Sequence, residues 1–173
     1  MELPGSEYLF TFSLVAITFT AVSVLVMLMR QSLGGKPSNF DIYLLTAHIS
    51  FGFAHTLNGL WPALIAFAEI PLETNWAVSS VLAAILICWA LARSLYLRKH
   101  ASTDPMSYGV AGGFVVHGIM AGLLLANSLY WQNAVFYVGP VTISLGATMW
   151  LFTRRIASLF GEKPGDDWDP KRG

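Results

Sequence analysis

YLFTFSLVAITFTAVSVLVMLM, residues 8–29, is an apolar run without a single charged side chain. Crossing the hydrocarbon core of a bilayer takes about 20 helical residues, so this run is long enough to span it. Four more apolar runs follow, at about 42–68, 77–97, 109–130 and 134–152. Backbone amides and carbonyls inside lipid must be paired within their own segment, which only a helix achieves for a single run. We therefore expect an all-α integral membrane bundle of five transmembrane helices.

The overall composition favours lipid as the main partner of the chain. Hydrophobic residues make up 55% of the sequence and charged residues only 12%. Soluble domains carry about twice that charged fraction. The formal net charge is zero, so no overall field would attract nucleic acid. We expect a bilayer protein that does not bind nucleic acid.

The distribution of lysine and arginine predicts how the chain threads the membrane. All ten of these residues lie at the end of the first, third or fifth run or after it: Arg30, Lys36, Arg93, Arg98, Lys99, Arg154, Arg155, Lys163, Lys171 and Arg172. Cytoplasmic ends of membrane helices carry such an excess. The pattern predicts an outside N-terminus and a cytoplasmic C-terminus in a cell membrane, a bacterial inner membrane by preference. Residues 161–173 would form a polar cytoplasmic tail.

Two histidines lie seven residues apart in the second run, in TAHISFGFAHTLNGLWP (residues 46–62). Positions three, four and seven apart share one face of a helix. One face of this run is polar or small at six successive positions: Asp41, His48, Gly52, His55, Gly59 and Pro62. Bulky apolar residues flank them, so we expect this face to point into protein.

The fourth run offers a matching small face. Gly109, Gly113 and His117 form one ridge at spacing four, and Gly118 and Gly122 form the next. Small residues at this spacing let membrane helices approach closely. We therefore expect the second and fourth helices to pack together or to face a shared cavity, with Gly52 and Gly59 also serving helix packing.

Depth along each helix predicts which histidines meet. At about 1.5 Å per residue from starts at Ile42 and Gly109, His48 lies roughly 9 Å deep, His117 roughly 12 Å and His55 roughly 20 Å. We expect His48 and His117 to meet, with His55 further out.

Ionisable residues inside a membrane mark functional sites by default. The histidines predict a pathway or pocket for a proton or a small solute, because imidazole titrates near neutral pH. Its lining would be His48, His55 and His117, with Asp41, Asn58 and Asn127 continuing the polar track. We expect the protein to act as a homo-oligomer or within a larger membrane complex.

Two other interpretations stay open on sequence grounds. His48 and His117 could be the axial ligands of one b-type haem, with nearby glycines leaving room for the macrocycle. Alternatively, neutral histidines could simply hydrogen-bond neighbouring helices in a structural subunit without chemistry. An enzyme is not expected, because the sequence has no HExxH, GxSxG or paired Cys–His motif.

Overall fold

The computed structural model describes residues 3–34, 39–101 and 106–161. They form five long helices: α1 (Ser6–Gly34), α2 (Asn39–Ala66), α3 (Leu72–Ala101), α4 (Tyr108–Ala126) and α5 (Ala134–Gly161). A short π-helical segment, Asn127–Trp131, continues α4. No strand occurs in these ranges. The predicted all-helical bundle is confirmed, and most of the predicted tail (residues 162–173) lies outside the described residues.

Four helices are long and apolar enough to cross a membrane: Ser6–Met29, Leu72–Ala101, Tyr108–Trp131 and Ala134–Arg154. The chain is therefore a multi-pass membrane protein. The second helix, α2, is 28 residues long but is not among the four. Three polar side chains, His48, His55 and Asn58, interrupt its apolar stretch. The count of five spans and the orientation of the termini stay predictions.

The bundle buries polar side chains together with apolar ones, and its outer surface is largely apolar. Among its fully buried side chains are His55, Asn58 and Ser144, whereas Leu14 and Val115 are more than half exposed. Such an apolar outer surface suits a lipid surround, because lipid tails are as apolar as the side chains that they cover. Polar groups then need partners inside the bundle.

The fifth helix, α5, contacts all four other helices and runs antiparallel to α2. Three contacts fix this register: the ring of His48 stacks on Phe152 with centroids 4.0 Å apart, His55 Nε2 lies 3.1 Å from Thr148 Oγ1, and Tyr137 donates its hydroxyl proton to the Asn58 carbonyl. From one contact to the next, residue numbers rise along α2 and fall along α5, so the two helices run in opposite directions. We call the end where α1, α3 and α5 finish the basic end, and the other the opposite end.

Pro62 creates a gap in the backbone hydrogen bonding of α2, and Tyr137 fills it. Proline has no N–H, so the carbonyl four residues earlier, on Asn58, receives no bond from its own helix. The Tyr137 hydroxyl of α5 donates to that carbonyl. Both Tyr137 and Asn58 are fully buried, so bulk solvent does not reach this bond. The proline thus ties α2 to α5.

Replacing Tyr137 with Phe should cost about 1–3 kcal/mol of stability, because it leaves a buried carbonyl without a donor. In a Pro62→Ala background the restored N–H can serve the Asn58 carbonyl, so the same substitution should cost less. Thermal unfolding in detergent across this double-mutant cycle measures the coupling. Tyr130→Phe, at a residue 78% exposed, is the control. An equal cost in both backgrounds would contradict the assignment.

Candidate functional site

The Thr148 hydroxyl on α5 joins two histidines from two other helices. His55 Nε2 on α2 lies 3.1 Å from Thr148 Oγ1, and His117 Nε2 on α4 lies 3.0 Å from the same oxygen. The two imidazole centroids are 6.2 Å apart. All three side chains are buried, with Thr148 6% exposed and both histidines 1% or less. We call this group the histidine–threonine cluster.

The hydrogen bonds of the cluster define where its protons sit. His117 Nδ1 lies 2.7 Å from the carbonyl oxygen of Gly113, which can only accept, so Nδ1 carries the proton. In a neutral ring Nε2 then accepts, and its donor is the Thr148 hydroxyl. The oxygen of Thr148 in turn accepts from His55 Nε2–H. When the Thr148 hydroxyl donates to His117, the order of donation is His55 to Thr148 to His117 to Gly113.

Thr148 has a second acceptor within reach. Its Oγ1 lies 3.1 Å from the carbonyl oxygen of Ser144, one turn earlier on α5. A hydroxyl has one proton, so it can serve either His117 or Ser144 at one time. Rotation about the Cβ–Oγ bond exchanges these two acceptors.

His48 lies apart from this cluster. Its ring is stacked on Phe152 and meets Phe19 edge-on at 5.4 Å, and its Nε2 is buried with no hydrogen bond to the described residues. The expectation that His48 meets His117 therefore differs from the structure, which brings His55 to His117 instead. The reason is an axial offset: α2 and α4 are displaced along the bundle by about two turns, or roughly 10 Å.

The arrangement does not fit a haem held by His48 and His117. Axial ligation needs two imidazole nitrogens that face each other across one iron. Both nitrogens of His117 are engaged, by Gly113 and Thr148, and Phe51 lies over its ring at 4.6 Å. Within the described ranges no three His, Cys, Asp or Glu residues come together as metal ligands.

The other predicted lining residues lie in different places. Asn58 is fully buried on α2, one turn from His55 toward the opposite end. Asn127 belongs to the α4–α5 turn, where its amide donates to Ser80 at 2.8 Å and to the carbonyl of Asn133 at 3.2 Å. It holds the hairpin together. The side chain of Asp41 lies outside the described part of the structure.

Three of the six predicted packing glycines make the closest helix contacts. A Cβ at Gly52 would overlap the Thr20 side chain on α1, one at Gly59 would overlap Ser13, and one at Gly113 would overlap Leu151 on α5. At Gly109 the nearest atom, Arg154 Nη1, would be 3.0 Å away. Gly118 and Gly122 differ from the expectation, because a Cβ at either meets nothing within 4 Å. They lie on the outer surface of α4.

Thr148 and Ser144 were absent from the sequence-based site. Single hydroxyl residues are common in membrane helices, where they bond to their own backbone. The available signal was their spacing of four within GPVTISLGATMW (residues 139–150), which places both on one face of an otherwise apolar helix. That face meets the histidine face of α2.

Comparison of the chain with protein-family models, with curated proteins and with solved structures gives no match.

The cluster predicts opposite tautomers for its two histidines. His55 should carry its proton on Nε2 and His117 on Nδ1, because one donates to Thr148 and the other accepts from it. Solid-state NMR of ¹⁵N-histidine-labelled protein in bilayers distinguishes the tautomers by their ring nitrogen shifts. Signals are assigned with His55→Gln and His117→Gln. Finding the Nε2–H form at both positions would contradict the assigned order of donation.

Alanine at Gly52 should destabilise the bundle by about 1–3 kcal/mol, because its methyl group overlaps Thr20 at the α1–α2 contact. Gly118→Ala is the matched control: it adds the same group to a membrane helix where nothing lies within 4 Å. Thermal unfolding in detergent compares the two variants. Similar unfolding temperatures would argue against the close approach of α1 and α2.

Proposed function

We propose that the protein conducts protons across the membrane along a path that includes His55, Thr148 and His117. The observation that carries this proposal is the single hydroxyl shared by two buried imidazoles from different helices. Each of the three side chains can both accept and donate a proton, and the separations of 3.0 and 3.1 Å are within hydrogen-bond range. A proton needs only this continuity, whereas a larger solute needs an open channel.

The transfer step balances within the cluster. A proton binds His55 Nδ1, which makes no hydrogen bond to the described residues. His55 Nε2–H passes its proton to Thr148 Oγ1, and the original hydroxyl proton moves to His117 Nε2. His55 is then neutral again, Thr148 again has one proton, and His117 carries the charge. One N–H and one O–H bond break while one O–H and one N–H bond form.

Resetting the path requires both imidazoles to return to their starting tautomers and the threonine hydroxyl to turn back. After transfer, His55 keeps its proton on Nδ1, the hydroxyl proton points at His55 Nε2, and His117 Nε2–H donates to the hydroxyl oxygen. Once His117 has released its Nδ1 proton, the remaining proton of each ring must return to its starting nitrogen, and the hydroxyl must rotate to face His117 again. The Ser144 carbonyl, 3.1 Å away, accepts from it during that rotation. The hydroxyl therefore need not be left without an acceptor between transfers.

The setting of this path follows the sequence-based predictions. We place the protein in a bacterial inner membrane with its basic end in the cytoplasm, because lysine and arginine are concentrated there. Assembly as a homo-oligomer or in a larger complex stays a prediction. Conduction through a bundle of five spans, rather than catalysis, is the role that this site supports.

Purified protein in liposomes, with a potential imposed and interior pH recorded by a dye, tests the proposal. His117→Ala and His55→Gln should each reduce proton flux at least about tenfold, since positioned proton donors and acceptors accelerate transfer by more than that. His100→Gln is the control, because His100 is exposed and bonds to the Tyr96 carbonyl of its own helix. Wild-type flux in correctly folded His117→Ala protein would contradict the proposal. Loss of folding in that variant alone would indicate a packing role for His117.

A further inference from the structure

Three fully buried side chains between α2 and α5 carry polar atoms without partners. His55 Nδ1, both amide atoms of Asn58, and Ser144 Oγ make no hydrogen bond to any described residue. His55, Asn58 and Ser144 are each 0% exposed. Exchanging the oxygen and nitrogen of the Asn58 amide does not help, since neither atom has a partner. Buried polar groups of this kind destabilise a folded protein when they are left unpaired.

These side chains lie at neighbouring levels of the same interface. Asn58 is one turn from His55 along α2, and Ser144 is one turn from Thr148 along α5. His55 and Thr148 are in contact, and the two helices run antiparallel, so Asn58 and Ser144 both lie toward the opposite end. Tyr137, a further two turns along α5, donates to the Asn58 carbonyl and so keeps the helices together there.

The unpaired atoms define the chemistry of what they can bind. The Asn58 amide offers two donors and an acceptor, Ser144 offers a hydroxyl, and the neutral His55 ring offers a bare Nδ1 acceptor. No charged side chain belongs to the set. A neutral molecule that both donates and accepts fits these groups, and a buried water with two to four polar partners is the smallest such molecule.

We propose that bound water occupies the α2–α5 interface beside Asn58 and Ser144 and delivers protons to His55 Nδ1. This inference rests on the proposed proton path and extends it from the histidine–threonine cluster toward the opposite end. Asn58 and Ser144 are positioning residues in this account: they hold the water that faces the imidazole.

Water-edited solid-state NMR in bilayers tests the site directly by measuring magnetisation transfer from water to side-chain amides. The Asn58 amide should receive it rapidly. Asn75 is the internal control: it is equally buried, but its Nδ2 donates to the Pro62 carbonyl at 3.0 Å and its Oδ1 accepts from Ser79 at 3.1 Å. Transfer to Asn58 no faster than to Asn75 overturns the water site, whatever the flux.

Substitutions connect the water to conduction. Asn58→Leu and Ser144→Ala should each lower proton flux several-fold while the protein stays folded. Ser50→Ala should leave the flux unchanged, because the buried Ser50 hydroxyl already donates to the Thr46 carbonyl at 2.8 Å. Wild-type flux in folded Asn58→Leu and Ser144→Ala protein overturns water delivery to His55.

Stability and wild-type flux separate the remaining outcomes. In a dry interface Asn58→Leu removes an unpaired amide and should raise the unfolding temperature, whereas in a hydrated one that gain is absent. A clear rise therefore overturns the water site. Rapid water transfer to Asn58 in a wild-type protein that conducts no protons supports the site and contradicts the proposed function instead.

Discussion

The hydroxyl of Thr148 is the contact on which the interior of this bundle depends. It is the meeting point of α2, α4 and α5, because His55 and His117 reach the same oxygen from opposite helices. Lipid outside the bundle gives no polar group a partner, so each buried imidazole must find its hydrogen bonds inside. One threonine satisfies a nitrogen on each ring and leaves only His55 Nδ1 free in the cluster. The hydrogen bonds that stabilise the packing therefore also form a continuous chain of exchangeable protons.

The unpaired side chains of Asn58 and Ser144 lie next to that contact, on the side away from the basic end. Pro62 removes a backbone donor from α2, Tyr137 of α5 replaces it, and Asn58 is held at the interface by that bond. Two other buried amides, by contrast, pair with protein groups: Asn127 with Ser80 and Asn75 with the Pro62 carbonyl. This contrast distinguishes amides that hold helices together from Asn58, whose amide we propose binds water.

Much of the fold could be predicted from the sequence, because apolar runs of about 20 residues in lipid can only be helices. The inward face of α2 followed from the period of its polar positions, and Gly52, His55 and Gly59 are buried on it. The pairing of the histidines did not follow. Periodicity defines the face of a helix but not its axial displacement, so His117 meets His55 and not His48. Gly118 and Gly122 were expected at a contact and lie outside it, because they share a face of α4 that points outward. For Thr148 the only signal was its spacing of four from Ser144, because a hydroxyl gains its role from what it faces.

The most direct test of the account is proton flux through Thr148→Val compared with Thr148→Ser in liposomes of the same lipid and protein content. Valine keeps the shape of threonine and removes the hydroxyl, whereas serine keeps the hydroxyl and removes a methyl group. The account predicts that the serine variant conducts protons and that the valine variant does not, with both folded. Undiminished flux through Thr148→Val would contradict it, because no proton could then have passed between His55 and His117 by this route.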